Sequence, residues 1–178
     1  VRASITGHLV LSTLHTNDSL NTIERLLDMD VERYLLSSAL TGIISQKLAR
    51  RLCPKCRKKR KTNEYERKLF KEVLNRDVEE IYSAESCDEC GNGYHGRIAI
   101  HEVLLINQDI RDAISNNVPK EKLRNLVYNK DVITLIQDGF YKVLAGFTTI
   151  TEVLKLIDLD DEIEEKNIQE IKDTKTVE

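Results

Sequence analysis

The stretch TGHLVLSTLHTN at residues 6–17 is the most informative about fold class, because it joins a short apolar run to polar residues at both ends. The run Leu9–Leu14 is partly β-branched, and its length suits a strand buried on both faces of a parallel sheet. Asn17 or Asp18 then provides the cap of a helix whose leucine and isoleucine side chains recur at helical spacing. The pattern predicts a strand followed by a helix in an α/β domain.

The polar residues around this run are candidate site residues. Ligands in open α/β sheets bind beyond the carboxyl ends of strands, which favours Thr13, His15 and Thr16 over His8. A strand would place His8 and His15 about 23 Å apart on opposite faces, so they are not expected to share a metal. Spacing alone leaves open a second interpretation, in which these side chains only satisfy hydrogen bonds at the ends of the strand.

Helical and strand patterns continue through the rest of the chain. A second helix is predicted at about Glu32–Ile44 and an exposed edge strand at Lys47–Leu52. A charged helix is predicted at about Glu64–Leu74, and strand composition returns at Arg97–Ile106. Further helices are predicted at Asp109–Ser115, Lys120–Tyr128, Leu135–Ala145 and Thr151–Ile157.

All four cysteines lie in two pairs, Cys53-Pro-Lys-Cys56 and Cys87-Asp-Glu-Cys90, which thirty residues separate. In a reducing compartment such pairs bind metal more often than they form disulfides. Four thiolates complete a tetrahedral zinc shell at about 2.3 Å per sulfur and leave no position for a substrate. The pattern predicts one structural zinc ion per chain. The alternatives are two disulfides, a redox pair, or a histidine ligand from His95 or His101.

The glycines of residues 91–96 match the pattern G-x-G-x-x-G of phosphate-binding loops. Such a loop follows a strand and opens a helix, whereas here a cysteine pair precedes the glycines and a predicted strand follows them. The glycines are therefore predicted to form turns beside the metal.

Charge is unevenly distributed along the chain. Residues 47–61 hold nine Lys or Arg and no acid, whereas residues 151–178 hold ten acidic residues and four Lys. A basic stretch can bind the phosphates of nucleic acid, but this one contains no aromatic residue to stack on bases. We expect it to be solvated surface or a subunit contact rather than a nucleic-acid site.

The composition is typical of a globular, cytosolic protein. The 178 residues are 40% apolar and 32% charged, and polar residues interrupt the longest uncharged stretches, Ala3–Asn17 and Tyr34–Gln46. Because a membrane-spanning helix needs about 20 mostly apolar residues, none is predicted. Residues 1–8 lack the layout of a signal peptide. Since the chain starts at Val1 and its sole methionine is Met29, we expect a piece of a longer chain.

The stretch Ala3–Asn17 closely resembles the His box of the secretion ATPase superfamily. The segments Leu48–Cys56, Cys87–Val103 and Asp138–Val153 resemble the C-terminal part of type II secretion ATPases, the protein E family, and of their type IV pilus-assembly relatives. The resemblance covers residues 1–157. Its four cysteines favour the secretion and assembly branch over the pilus-retraction members.

The resemblance implies an α/β fold, namely the C-terminal part of a RecA-like NTPase domain with an inserted four-cysteine zinc domain and a C-terminal helical subdomain. Residues 1–52 would belong to the ATPase core, residues 53–96 to the zinc domain and residues 97–157 to the strand and helical subdomain. The acidic tail, residues 158–178, is expected to be disordered.

For the whole family protein, the resemblance implies a homo-hexameric motor that hydrolyses ATP with Mg²⁺ at the inner face of the cell membrane. Its partners would be the inner-membrane platform or assembly proteins of a secretion or pilus system. His15 and His8 would be the catalytic histidines of the His box, with Thr13 and Thr16 ordering the γ-phosphate near His15.

One departure from the family pattern limits what this chain is expected to do alone. The family's P-loop, G-x-x-x-x-G-K-[ST], precedes the His box, and no such sequence occurs here. Without the backbone and lysine that hold the phosphates, we expect neither tight ATP binding nor ATP hydrolysis. The alternative function is a zinc-dependent protein or nucleic-acid interaction module with the same cysteine pattern.

Overall fold

The computed structural model describes residues 1–129 and 131–157, which form an α/β structure. Its elements in chain order are α1 (Arg2–Ile5), α2 (Ser19–Asp28), α3 (Arg33–Ala39), β1 (Gly42–Leu52), β2 (Lys58–Lys61), α4 (Glu64–Leu74), β3 (Glu80–Ser83), β4 (Tyr94–Leu105), α5 (Gln108–Ser115), α6 (Lys120–Val127), α7 (Leu135–Leu144) and α8 (Ile150–Leu154). The α/β class expected from the sequence is confirmed.

Within residues 1–129 and 131–157, four strands form two sheets of two strands each. β1 pairs with β4, and β2 pairs with β3 in an antiparallel arrangement. The backbone N–H of Cys53 donates to the Gly93 carbonyl over 2.9 Å, and that of Ile106 donates to the Thr41 carbonyl over 3.0 Å. The first bond joins the end of β1 to the start of β4, and the second joins the start of β1 to the end of β4. β1 and β4 therefore also run antiparallel.

The prediction of a strand at Leu9–Leu14 is wrong. Residues 8–16 have no regular secondary structure, and the side chains of Leu9 and Leu11 are 91% and 88% exposed. A strand of a parallel sheet depends on hydrogen bonds from its neighbours. Among the described residues, no strand pairs with this segment. The helix predicted to follow is confirmed as α2, and the Asp18 carboxylate caps it by accepting from the Asn21 N–H.

The helix predicted at Glu32–Ile44 is shorter than expected. It ends at Ala39, and β1 begins at Gly42. The next two residues then alternate as in a strand, with Ile43 8% exposed and Ile44 70% exposed. Glycine and β-branched residues are poor helix formers, and here β4 provides the partner that stabilises a strand instead.

The charged helix predicted at Glu64–Leu74 is confirmed with the same ends. The Asn63 side chain accepts from the Glu66 N–H, and the Glu66 carboxylate accepts from the Asn63 N–H, which forms a capping box. Asn75 ends the helix in the left-handed conformation, at φ 51°. The strand and helices predicted after residue 96 are also present, with ends that differ by up to three residues.

The chain divides into two compact units. The first comprises Val1–Gln46 and His101–Leu135, and the second comprises Lys47–Ile100 and the described residues from Ile136 onward. The division of the sequence into 1–52, 53–96 and 97–157 stays a prediction. The tail, residues 158–178, lies outside the described residues.

Each unit has an apolar core of its own. In the first unit, helices α2, α3 and α5 bury Leu20, Ile23, Leu36, Ile110 and Ile114 in one cluster. In the second unit, Phe70 of α4 meets Phe140 of α7 edge to face, with ring centroids 5.0 Å apart. Each core therefore joins segments that are distant in the sequence.

Candidate functional site

The four cysteines come together from two turns, one after β1 and one before β4. Their sulfur atoms all lie within 4.8 Å of one another. The Cys56 and Cys90 sulfurs are 3.4 Å apart, and those of Cys87 and Cys90 are 3.5 Å apart. Sulfurs around one tetrahedral zinc ion are about 3.8 Å apart when each bond is about 2.3 Å. The cluster therefore has the size that one metal ion bound by four sulfurs requires.

The structure bears on two of the alternatives to a four-cysteine metal site, namely disulfides and a histidine ligand. All four cysteines are free, and the measured sulfur separations far exceed a disulfide bond of about 2.05 Å. His95 and His101 are both exposed, and neither belongs to the cluster. The cysteines are therefore not paired as disulfides in the structure, and the cluster among the described residues consists of cysteines alone.

The turn that contains the second cysteine pair explains the neighbouring glycines. The backbone N–H groups of Cys90 and Gly91 donate to the Cys87 carbonyl over 3.1 and 2.8 Å. Gly93 has φ 83°, and a Cβ atom there would lie 2.7 Å from the Cβ of Ala84. Its N–H donates to the Cys90 sulfur over 3.3 Å. The prediction that these glycines form turns is confirmed for Gly91 and Gly93, whereas Gly96 lies within β4.

The cysteine cluster favours a thiolate at one of its positions. Burial disfavours the charged form of Cys90, but hydrogen bonds from the Cys87 backbone, from neighbouring thiols and from the Gly93 N–H outweigh it and lower its pKa to about 6. Burial, together with hydrogen bonds to the other cysteines, raises the pKa of the Cys56 thiol. Because metal ligands must be thiolates, a bound cation would be needed to ionise the whole set.

Contacts within the second unit engage much of the basic stretch at residues 47–61. Four of its cations form ion pairs with acids, namely Arg50 with Glu152, Lys55 with Glu89, Lys59 with Glu80, and Arg60 with Glu66. Three arginines lie over aromatic rings: Arg50 over Tyr94 at 4.1 Å, Arg51 over Phe147 at 5.7 Å, and Arg57 over Tyr82 at 4.7 Å. Sequence reasoning missed these rings because none lies within the stretch itself.

A second contact missed at the sequence level joins Arg50 to Glu152. The guanidinium donates two hydrogen bonds, of 2.8 and 2.7 Å, to a carboxylate 102 residues away. These hydrogen bonds lower the pKa of Glu152 to about 2, although burial of the carboxylate opposes the shift. Glu152 is only 6% exposed, so the pair is a structural link of the second unit.

Glu102 is a buried carboxylate at the start of α2 in the first unit. It is 1% exposed and accepts a 3.0 Å hydrogen bond from the backbone N–H of Ser19. Burial raises the pKa of Glu102, while hydrogen bonds from Ser19 and from the Leu135 backbone oppose the shift. This carboxylate therefore anchors the junction between the segment that contains His15 and helix α2.

The predicted His-box residues lie on the segment without regular structure. His8, Thr13 and His15 are exposed, and the Thr16 hydroxyl is 2.6 Å from that of Thr22 in α2. None of these residues belongs to the cysteine cluster. Since no strand forms here, the argument from the carboxyl end of a strand does not apply, and a role for these residues depends on the family resemblance.

The fold and site define an α/β protein with a four-cysteine cluster of metal-binding size. Residues 1–155 match the family described as Type II/IV secretion system protein, and the chain belongs to this family. It is 44% identical over 157 residues to the putative type II secretion system protein E of Escherichia coli (strain K12). It is 42% identical over 154 residues to the type IV pilus assembly ATPase PilB of Thermus thermophilus. The resemblance found in the sequence is confirmed.

These matches cover most of this chain but only part of its relatives. They span 88% and 85% of the chain, and 31% and 17% of the two relatives. A crystal structure of the pilus retraction motor PilT with bound ADP matches 92% of this chain and 36% of that chain, with a TM-score of 0.57. At 24% sequence identity, this match shows a similar fold.

Among the described residues, no helix combines the length and the apolar character that crossing a membrane requires.

Proposed function

We propose that the chain forms the metal-bearing C-terminal part of an ATP-driven motor for type II secretion or type IV pilus assembly. The observation that carries this proposal is the four-cysteine cluster, found in a chain 42–44% identical to proteins named for these systems. The chain spans less than a third of those relatives, so the activity of the whole protein is part of the proposal.

Zinc is the metal that we propose for the cluster, with one ion per chain. Four thiolates in a closed tetrahedral shell suit zinc and leave no open position for a substrate, so the ion stabilises the fold. Because metal binding supplies folding free energy, chelation is expected to remove the zinc together with the folded signal of the unit that carries the cysteines.

Native mass spectrometry followed by circular dichroism measures both quantities. A Cys87→Ser variant should lose zinc, whereas a variant of an exposed neighbour, His95→Ala, should retain one ion per chain. A chain that folds without metal, or that retains zinc after Cys87→Ser, would contradict a structural zinc site.

The His box is the proposed nucleotide-facing element of the complete motor. We place His15 near the γ-phosphate, with Thr13 and Thr16 helping to order it and His8 as the second histidine of the box. The exposure of His8, Thr13 and His15 supports this role, because it leaves these side chains accessible to a nucleotide held by other residues. The 178-residue chain alone, which contains no P-loop sequence, is proposed not to hydrolyse ATP.

ATP turnover tests the role of His15. In the full-length protein that contains this chain, His15→Ala should abolish turnover, while the control His95→Ala should leave it unchanged. The isolated chain should release no phosphate above background. Turnover by the isolated chain that disappears with His15→Ala would contradict the proposal.

For the complete motor we propose a hexamer on the cytoplasmic side of the inner membrane, bound to platform or assembly proteins. Sedimentation of the full-length protein and pull-down against those membrane proteins test this assembly. The ion pairs and ring contacts within the basic stretch argue against the alternative of a nucleic-acid module. A gel shift with steep salt dependence would favour that alternative.

A further inference from the structure

The turn that carries the first cysteine pair is bonded directly to the corner between α7 and α8. We call residues 52–57 the first metal turn and residues 145–149 the corner. The Leu52 N–H donates to the Phe147 carbonyl over 2.8 Å, and the Thr148 hydroxyl donates to the Arg50 carbonyl over 2.9 Å. The Arg57 guanidinium donates to the Gly146 carbonyl. Two backbone carbonyls of the corner therefore accept hydrogen bonds from the first metal turn, and a side chain of the corner donates one to Arg50, just before that turn.

Packing around Gly146 makes this contact specific. Gly146 has φ 72°, and a Cβ atom there would lie 2.5 Å from the Cδ2 of Tyr82 and 3.0 Å from a terminal nitrogen of Arg57. The Arg57 guanidinium also lies over the Tyr82 ring, 4.7 Å from its centre. Arg57 is thus held between an aromatic ring and a carbonyl, and no larger residue than glycine fits beside it.

The position of Arg57 depends on the metal turn. Its own N–H donates to the Cys53 carbonyl over 3.1 Å, and Cys56 precedes it directly. Cys53 is 3% exposed, and its N–H donates to the Gly93 carbonyl in the other cysteine turn. A metal ion bound by sulfurs of both cysteine turns would hold the two turns together, so metal binding fixes the turn from which Arg57 extends.

The corner also helps to fix the position of α8. The Thr149 side chain caps α8, and its hydroxyl is 3.1 Å from the Tyr94 hydroxyl. Val153 of α8 packs so closely on Gly139 of α7 that a Cβ atom at Gly139 would lie 2.6 Å from it. Movement of the corner therefore disturbs both the cap of α8 and its packing.

We propose that the first metal turn is a metal-dependent clamp, in which Arg57 is the positioning residue that holds the corner and α8 in place. The proposal rests on the proposed metal site and adds a role for it: the occupied cluster controls the order of a helix about 100 residues along the chain. Loss of the metal breaks the hydrogen bond between Arg57 and Gly146, and α8 then loses its protection from hydrogen exchange.

Hydrogen–deuterium exchange of the whole chain tests the clamp, with Zn²⁺ as the probe. In wild-type protein, chelation should raise the exchange rate of residues 147–154 about tenfold or more, while α5 in the other unit changes less. With zinc bound, Arg57→Gln should show the same fast exchange in residues 147–154. The matched control Arg97→Gln, which alters an exposed arginine of β4, should behave like wild type.

A second pair of variants guards against a general loss of structure. Gly146 and Gly96 both have φ 72°, but only at Gly146 does an added Cβ meet other atoms. Gly146→Ala should therefore raise exchange at α8 more than Gly96→Ala, with zinc content unchanged in both. Bound zinc with wild-type protection of α8 in Arg57→Gln would overturn the clamp alone, whereas protection of α8 that survives chelation would overturn both the clamp and the structural role of the zinc. Failure of the chain to bind zinc at all would overturn the proposed metal site as well.

Discussion

Two buried glutamates show how partners set the ionisation of one side-chain type. The Arg50 guanidinium donates twice to Glu152 and lowers its pKa to about 2. Glu102 instead receives hydrogen bonds from Ser19 and from the Leu135 backbone, and burial raises its pKa. Arg50 therefore stabilises the charged form of Glu152, whereas Glu102 anchors a helix at a cost in desolvation.

Glu152→Gln should lower the free energy of unfolding by about 2 kcal/mol at neutral pH, allowing for the half-exposed Arg50. The folded pKa of Glu152 lies below its ordinary value of 4.5, so its contribution is fully present above about pH 5. It decreases as pH falls toward about 2, because the unfolded chain then binds the proton more tightly.

Urea unfolding of both proteins between about pH 7 and pH 3 measures this effect, since the difference between wild type and Glu152→Gln should narrow in acid. Glu72→Gln is the matched control, because it removes an exposed ion pair with Lys68 and should cost less than about 0.5 kcal/mol. Equal losses in the two variants, or a difference independent of pH, would contradict the assigned role of Glu152.

Helix α4 illustrates an element whose ends depend on nearby residues. Its capping box joins Asn63 to Glu66, and Asn75 closes the other end in the left-handed conformation. These groups lie next to the helix in sequence, so the same ends were predicted and observed. Its apolar face then packs through Phe70 on Phe140, a contact for which the local sequence holds no signal.

Asn63→Ala should lower the free energy of unfolding by about 1 kcal/mol, because the first turn of α4 loses its side-chain acceptor. Asn63→Asp retains an acceptor and should remain close to wild type. Thermal or urea unfolding of the zinc-bound proteins measures both values. Equal destabilisation by Ala and Asp would show that the amide, rather than the cap, is what matters at this position.

In the molecule as a whole, the apolar segment that contains Leu9 and Leu11 is exposed to solvent. Leu9 and Leu11 are 91% and 88% exposed on a stretch without regular structure, although their sequence suits a buried strand. Extended apolar segments of this kind are sites for association with other chains. The two compact units each have a core of their own, and neither Leu9 nor Leu11 is among the buried residues of either core.

Replacing both Leu9 and Leu11 by Ser should reduce self-association of the chain without lowering its free energy of unfolding, since neither side chain is buried. Sedimentation velocity over a range of concentrations and urea unfolding measure the two properties. Ile23→Ser is the contrasting control, because Ile23 is fully buried in α2 and its loss should destabilise the protein strongly. Marked destabilisation by the double variant would show that the segment is packed in solution.

The two cysteine pairs, the ends of α4 and the membership of the family could all be predicted from the sequence, because each depends on specific residue types at short, characteristic spacings. The tertiary structure decided that Leu9–Leu14 is not a strand and that β1 begins at Gly42. It also decided that Arg50 binds Glu152 and that Arg57 holds Gly146. The physical reason is the same in each case: strand pairing and buried charge depend on partners tens of residues away, which local patterns do not specify.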